Sequence, residues 1–296
     1  VVAASSTGHL DLSSPGALAG QLATQAYLAD TGVATAVVLA GSLGRPLFLE
    51  GAPGVGKTSL ATAVAAAAGL PLIRLQCYEG LDSATALYDW DFARQLMHLR
   101  ARENDTPAEA LENSLYERRF LVARPLLQAV ENSPCVLLID EVDRADHEFE
   151  AFLLELLSDF AVTVPELGTI HADPVPLVFL TSNRTRDVHD ALKRRCLYHW
   201  LDHPDRAAEL AILRTRLPEL DAGLADQIAT AVAQLRALAL LKPPGVGETL
   251  DFAAALLALG TRTLDTAAAA PVLGTLLKYH EDVELARTTS WPAAVS

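Results

Sequence analysis

GAPGVGKT, Gly51 to Thr58, decides how this chain is read. It meets the pattern G-x-x-x-x-G-K-[ST] and stands between a short apolar run, RPLFLEG, and an alanine-rich helical run, SLATAVAAAAG. Strand, glycine loop and helix form the context that this pattern requires, and chemistry explains each position. Gly51, Gly54 and Gly56 let the main chain wrap close enough for its N–H groups to reach phosphate oxygens. The helix N-terminus adds positive potential, Lys57 neutralises the β and γ phosphates, and Thr58 offers a hydroxyl to Mg²⁺. The candidate cofactor-binding residues are therefore Gly51, Ala52, Pro53, Gly54, Val55, Gly56, Lys57, Thr58 and Ser59. The rival, a glycine-rich turn with a chance lysine, is disfavoured by the flanking strand and helix.

A second stretch, GVGETLDF from Gly245 to Phe252, reads like a faulty copy of the first. It carries Glu248 where Lys57 would be, so a carboxylate would face phosphate, and no strand precedes KPPGVG. It reads instead as a Pro/Gly loop feeding a helix over 249–259. Glu248 near that helix start is favoured by the dipole, by roughly 0.3–1 kcal/mol.

Working outward, residues 10–44 carry helical apolar spacing through Leu18, Leu22, Ala26, Val33, Val37 and Val38. SLATAVAAAAG is a helix closed by Gly69. PLIRLQC, CVLLID, VPLVFLTSN and CLYHWL are further strands, and the unbroken apolar run of CVLLID suits a parallel strand covered on both faces. FEAFLLELLSDF is an amphipathic helix. Strands alternating with helices imply an α/β fold with a doubly wound, parallel five-stranded sheet. A long insert with charge and helical pattern fills 78–134, and 161–174 alternates around a Gly turn as a hairpin. After Pro204 the chain reads as helical throughout, giving an α/β domain over 1–204 and a smaller all-α domain over 205–296.

The chain has 296 residues, 51% of them hydrophobic but only 6% aromatic, so its apolar content is chiefly Ala, Leu and Val and favours helices. No apolar stretch reaches the roughly 20 residues needed to cross a bilayer, and residues 1–9 lack a signal-peptide pattern. Cys77, Cys135 and Cys196 are widely spaced, which fits a reducing cytoplasm and no disulfide framework. A net charge of −14 repels phosphate backbones and makes nucleic acid a poor partner.

Asp140 and Glu141 end CVLLID. One carboxylate at a strand tip near the phosphates can hold Mg²⁺ with Thr58, and the second can polarise an attacking water, as a hydrolase needs. Asn183 ends the next strand, where a neutral amide can orient that water without disturbing the charge balance. Acidic residues terminating a buried strand, and an Asn capping a loop, are the bland alternatives.

Together these landmarks resemble AAA+ ATPases, and the details look like the MoxR family, over nearly the whole chain. CYEGLD (77–82), the stretch around YDWDFARQL (88–96), PPGVGETLDFA (243–253) and LLKYHED (276–282) are most similar to the accessory ATPases of aerobic carbon monoxide dehydrogenases and related molybdenum hydroxylases. The resemblance implies an AAA+ P-loop fold with helical insert, hairpin and α-helical lid. It implies ATP and Mg²⁺ as cofactors, Asp140 and Glu141 as the Walker B pair, Asn183 as sensor 1 and Arg195 as arginine finger, with Arg194 its competitor. It further implies a homo-hexamer that remodels a client protein, here in molybdenum hydroxylase maturation, beside a separate protein with a von Willebrand A domain. A sensor-2 arginine near the start of the second lid helix is missing, because GVGETL offers none; Lys242 is a nearby substitute.

His199 and His203, with Cys196 close by, have a metal-pair spacing, although their segment reads as a strand entering a Pro loop. Tyr88, Asp89, Trp90 and Asp91 would form a partner-facing patch or pack the insert on its own domain. A nucleic-acid motor, a small-molecule P-loop kinase and a poorly hydrolysing scaffold are the rival functions.

Overall fold

The computed structural model describes residues 7–102, 111, 114–289 and 291–292. Of the insert expected at 78–134, residues 103–110 and 112–113 lie outside the described residues, as do parts of both chain ends.

The strands are β1 (Leu47–Gly51), β2 (Leu72–Gln76), β3 (Tyr88–Trp90), β4 (Leu121–Ala123), β5 (Val136–Asp140), β6 (Ala161–Val164), β7 (Gly168–His171), β8 (Leu177–Ser182) and β9 (Leu197–Leu201). Five of them form one parallel sheet in the order β2-β5-β8-β1-β9. Its side chains alternate between two buried faces. Leu47, Leu49, Leu138 and Phe179 join one apolar cluster, while Phe48, Leu137, Ile139 and Leu180 join another. Helices Thr31–Leu43 and Lys57–Ala68 cover the first face, and Pro125–Glu131 and His147–Asp159 cover the second. This is the sandwich that near-continuous apolar strands require.

Residues 10–44 are not one helix. Helix Pro15–Ala23 and helix Thr31–Leu43 are separated by a break in which Ala26 takes φ 55°. Asp30 starts the second helix by accepting the Val33 N–H at 2.8 Å, so a cap rather than apolar spacing sets the boundary. Gly69 closes the helix after the phosphate loop in the left-handed conformation, as the sequence indicates.

The hairpin is present as the antiparallel pair β6–β7. The helical reading of the insert missed a second antiparallel pair, β3–β4, whose strands span three residues each, too short to show a period. Tyr88 and Trp90 are partly buried on the domain core, and Trp90 meets Tyr116 edge-on at 5.4 Å. The aromatic pair therefore packs the insert and is no free patch.

The described residues beyond Leu201 hold helices and no strand. Arg206–Arg216, Ala222–Arg236 and Val246–Ala258 enclose a third apolar cluster around Leu213, Ile228, Val232, Phe252 and Trp291. Among the described residues no helix is long and apolar enough to cross a membrane.

Candidate functional site

Parallel pairing aligns the carboxyl ends of the strands: Gln76 lies opposite Asp140, and Glu50 opposite Ser182. The loops that follow open at this edge, where doubly wound sheets bind ligands. The loop after β1 turns through Gly54 (φ 80°) and Gly56 (φ 101°), conformations that side chains with a Cβ rarely adopt. Gly56 is the N-cap of helix Lys57–Ala68, and no side chain caps it, so the first N–H groups of the helix remain for an anion. Gly51 answers to a different constraint. A Cβ there would stand 2.3 Å from the Leu201 carbonyl oxygen on β9, so this glycine is required by strand packing.

Lys57 is buried, and its Nζ donates to the Gly51 and Ala52 carbonyls at 2.8 Å each. Burial lowers its pKa to about 8, against the pull of Asp143, Asp140, Glu141 and Glu50.

Asp140, 3% exposed, collects three donors. The Thr58 hydroxyl reaches its two carboxylate oxygens at 3.1 and 3.2 Å, the Thr181 hydroxyl donates to it, and the Arg74 guanidinium lies 2.5 Å away. Glu141 follows in a left-handed conformation at φ 55°, a strained position for a side chain that the surroundings must hold. Its N–H donates to Thr181 Oγ1 at 2.9 Å. Its carboxylate accepts Asn183 Nδ2 and Gln76 Nε2, each at 3.2 Å, and pairs with Arg144 at 3.2 Å. The loop bearing Asn183 is fixed by buried Asp143, which accepts the Asn183 N–H at 3.2 Å and the Thr185 N–H at 2.8 Å.

A cavity of about 900 Å³ joins these groups, lined by Pro53 to Ser59, Asp140, Glu141 and Asn183. Gly51, Ala52 and Arg195 are not in its wall. Arg195 stands exposed at the end of helix Asp190–Arg195. Lys193, from the same basic run, turns toward buried Glu50 at 4.0 Å, which leaves Arg194 and Arg195 as the exposed pair.

Several cavity and site residues were not found in the sequence. Tyr27 and Arg216 line the wall, as does His203, which the sequence offered only as half of a metal pair, and Arg74 and Gln76 touch the two carboxylates. Arg74 and Gln76 had a signal, since they are polar residues at alternate positions near the end of a strand. Tyr27 and Arg216 reach the cavity only through tertiary packing. Arg216 brings a cation from the C-terminal helices to the cavity, whereas Lys242 is absent from its wall. Glu248 accepts the Gly245 N–H at 3.2 Å, the one half of a capping box that a glycine N-cap allows, so it begins a helix, here Val246–Ala258. Among the described residues no group of three or more His, Cys, Asp or Glu is arranged to hold a metal, His199, His203 and Cys196 included.

A family model described as the ATPase family associated with various cellular activities (AAA) matches residues 47–200, more than half of the 296-residue chain. The chain is 26% identical over 187 residues to nuclear valosin-containing protein-like of Mus musculus, covering 59% of this chain and 18% of that protein. It is 34% identical over 131 residues to midasin of Dictyostelium discoideum, covering 40% of this chain and 2% of that protein. The chain thus spans less than a fifth of the length of either relative. Among solved structures, the RuvB Holliday junction branch migration motor of Thermotoga maritima superposes with a TM-score of 0.45 at 17% identity, covering 86% of this chain and 67% of that one.

Proposed function

The chain belongs to the ATPase family associated with various cellular activities, and on that premise we propose that it uses ATP hydrolysis to remodel a client protein. As a member of that family it hydrolyses ATP and uses Mg²⁺. The observation that carries the hydrolytic assignment is the convergence of Lys57, Thr58, Asp140, Glu141 and Asn183 on one cavity.

Thr58 and Asp140 fit Mg²⁺, because a hydroxyl and a carboxylate within 3.2 Å of each other supply the hard oxygen donors that this ion prefers. The ion, when bound, neutralises charge on the β and γ phosphates. The uncapped N–H groups of helix Lys57–Ala68 receive phosphate oxygens, and Lys57 exchanges its two carbonyl partners for phosphate. Glu141 accepts the proton of the attacking water, and the Asn183 amide, already 3.2 Å from that carboxylate, fixes the water's orientation. Arg195, or its neighbour Arg194, reaches the γ-phosphate bound by an adjacent subunit.

The finer reading rests on the sequence resemblance to the MoxR-type accessory ATPases. By it the client is a molybdenum hydroxylase of the carbon monoxide dehydrogenase type, the assembly a cytoplasmic homo-hexamer, and the partner a separate von Willebrand A domain protein. The test is maturation in vitro. An inactive hydroxylase of this type is incubated with the chain, the partner protein and MgATP, and its activity is followed. A gain that needs ATP and is lost with Lys57→Ala supports the client assignment. No gain from a preparation that turns ATP over rejects it.

A further inference from the structure

Arg45 lies between helix Thr31–Leu43 and β1, directly after Gly44, the left-handed cap of that helix. Its guanidinium makes no side-chain contact in the phosphate site. It donates instead to consecutive main-chain carbonyls at the end of helix Asp190–Arg195. Nη2 reaches the Arg194 and Arg195 oxygens at 2.9 Å each and that of Cys196 at 3.4 Å, while Nε reaches the Arg195 oxygen at 3.2 Å. The neighbouring Pro46 carbonyl accepts the Leu197 N–H at 2.8 Å. Every residue from Arg194 to Leu197 is therefore tied to the two residues that lead into β1 and its phosphate loop.

The placement is unusual electrostatically. That helix already ends in Lys193, Arg194 and Arg195, and Arg45 adds a fourth cation to the cluster. The carbonyl dipoles of the helix end offset the repulsion. The planar fork of a guanidinium also fixes the direction of several carbonyls at once, which a lysine ammonium cannot do. Lys193 anchors the same helix toward Glu50 at 4.0 Å. Among the described residues the Arg194 and Arg195 side chains have no partner, so the main chain that Arg45 holds is what aims them.

We infer that Arg45 is a positioning residue for the arginine finger: it sets the direction in which Arg195 or Arg194 leaves its subunit and couples that direction to the segment feeding the phosphate loop. The inference rests on the finger reading above and names the part of the chain that makes the finger effective. Small displacements of a transition-state cation are costly. Arg45→Ala is expected to lower kcat roughly 10- to 100-fold with KM for ATP nearly unchanged.

The test uses mixed assemblies in a preparation shown to exchange subunits. An Arg45→Ala subunit has an intact phosphate loop and a misdirected finger, and a Lys57→Ala subunit has the converse. Mixing them should restore turnover, which general destabilisation of Arg45→Ala would not allow. Arg195→Ala and Arg194→Ala, each mixed with Lys57→Ala, are the controls. Rescue of a finger variant without rescue of Arg45→Ala, or wild-type kcat in Arg45→Ala alone, overturns the role of Arg45 and leaves the finger standing. No rescue of either finger variant overturns the trans finger, and the inference with it. If Arg45→Ala does not fold, Arg45→Lys enters the same mixing experiment, with a smaller loss and the same rescue expected.

Discussion

Gly245 packs on Gly54 so closely that a Cβ at Gly245 would stand 2.7 Å from the Gly54 Cα, and the adjoining Val246 N–H donates to the Gly54 carbonyl at 2.9 Å. The stretch that imitates the phosphate loop is thus its packing partner. Gly54 and Gly245, one from each stretch, are needed because two backbones meet there. The contact joins the phosphate loop to the start of helix Val246–Ala258, so a shift of the loop at Gly54 would press on that helix.

Gly245→Ala tests that contact. Gly245 has φ −83°, which alanine adopts without strain, so what is at stake is the close approach to Gly54 and, at 2.8 Å, to the Glu248 carboxylate at the helix start. Overpacking against backbone is expected to cost about 1–3 kcal/mol and to weaken ATP binding as the helix start is pushed off the loop. Thermal unfolding with and without ATP reads both effects. Gly247→Ala, where a Cβ meets nothing within 4 Å, is the stability control and should unfold at the wild-type temperature or above. Equal behaviour of the two variants would show that the Gly54–Gly245 contact contributes to neither stability nor ATP binding.

The pH dependence of ATP binding follows from Lys57, whose pKa is lowered to about 8 chiefly by burial. Phosphate binds the ammonium form, and bound phosphate raises the pKa again. Below pH 8 the lysine is already charged, and affinity should vary little from this group. Above it the free protein loses the proton, so affinity should fall by up to about tenfold per pH unit, with proton uptake on binding. Calorimetry at pH 8.5 in buffers of different ionisation enthalpy measures that uptake, and zero uptake would contradict the shift.

How much of this was legible in the sequence depended on range. The phosphate loop, the strand ends at Asp140 and Asn183 and the helix closed by Gly69 are local patterns, and the structure brings the loop and strand-end residues together as their chemistry asks. The break after Ala23 was not legible, because apolar spacing persists across it and only the Asp30 cap marks the restart. The β3–β4 pair was too short for periodicity. Gly51 was assigned to phosphate for its pattern position, whereas its missing Cβ serves Leu201, a residue of a distant strand. Arg74 and Gln76 leave only a faint trace as alternating polar residues at a strand end, while Tyr27 and Arg216 matter only through tertiary neighbours, of which sequence spacing carries no record.

Glu141→Gln should bind ATP and stop turning it over, because an amide cannot accept the proton of water. The position of the side chain should largely persist, since the Gln oxygen can still accept from one of the two amides, Asn183 or Gln76, that donate to the carboxylate. Single-turnover phosphate release and ATP affinity are measured together. A loss of affinity as large as the loss of rate would mean that Glu141 binds nucleotide instead of acting on water. Asn183→Ala should show a milder loss of rate with similar affinity, since it removes the orienting amide and leaves the base.

Arg74 gives the sharpest test of how Asp140 works. Its guanidinium lies 2.5 Å from an Asp140 oxygen, on the carboxylate that with Thr58 suits Mg²⁺. A cation and a guanidinium compete for the same lone pairs, so metal binding at Asp140 must displace Arg74 or share the carboxylate with it. The Arg74 side chain is half exposed, which lets it move away into water, but its partner Asp140 is buried, so the pair is worth about 1 kcal/mol, the upper end for exposed pairs. Arg74→Ala removes the competitor and one local positive charge. Both changes favour the metal, and the expected result is a larger gain in ATP affinity from Mg²⁺ than wild type shows, by up to about fivefold for 1 kcal/mol. The measurement is the ratio of ATP dissociation constants with EDTA and with Mg²⁺, which cancels any effect of the substitution on nucleotide alone. A ratio equal to that of wild type would show that Arg74 and the metal do not compete. A smaller ratio would show that Arg74 orders Asp140 for the metal, the opposite sign.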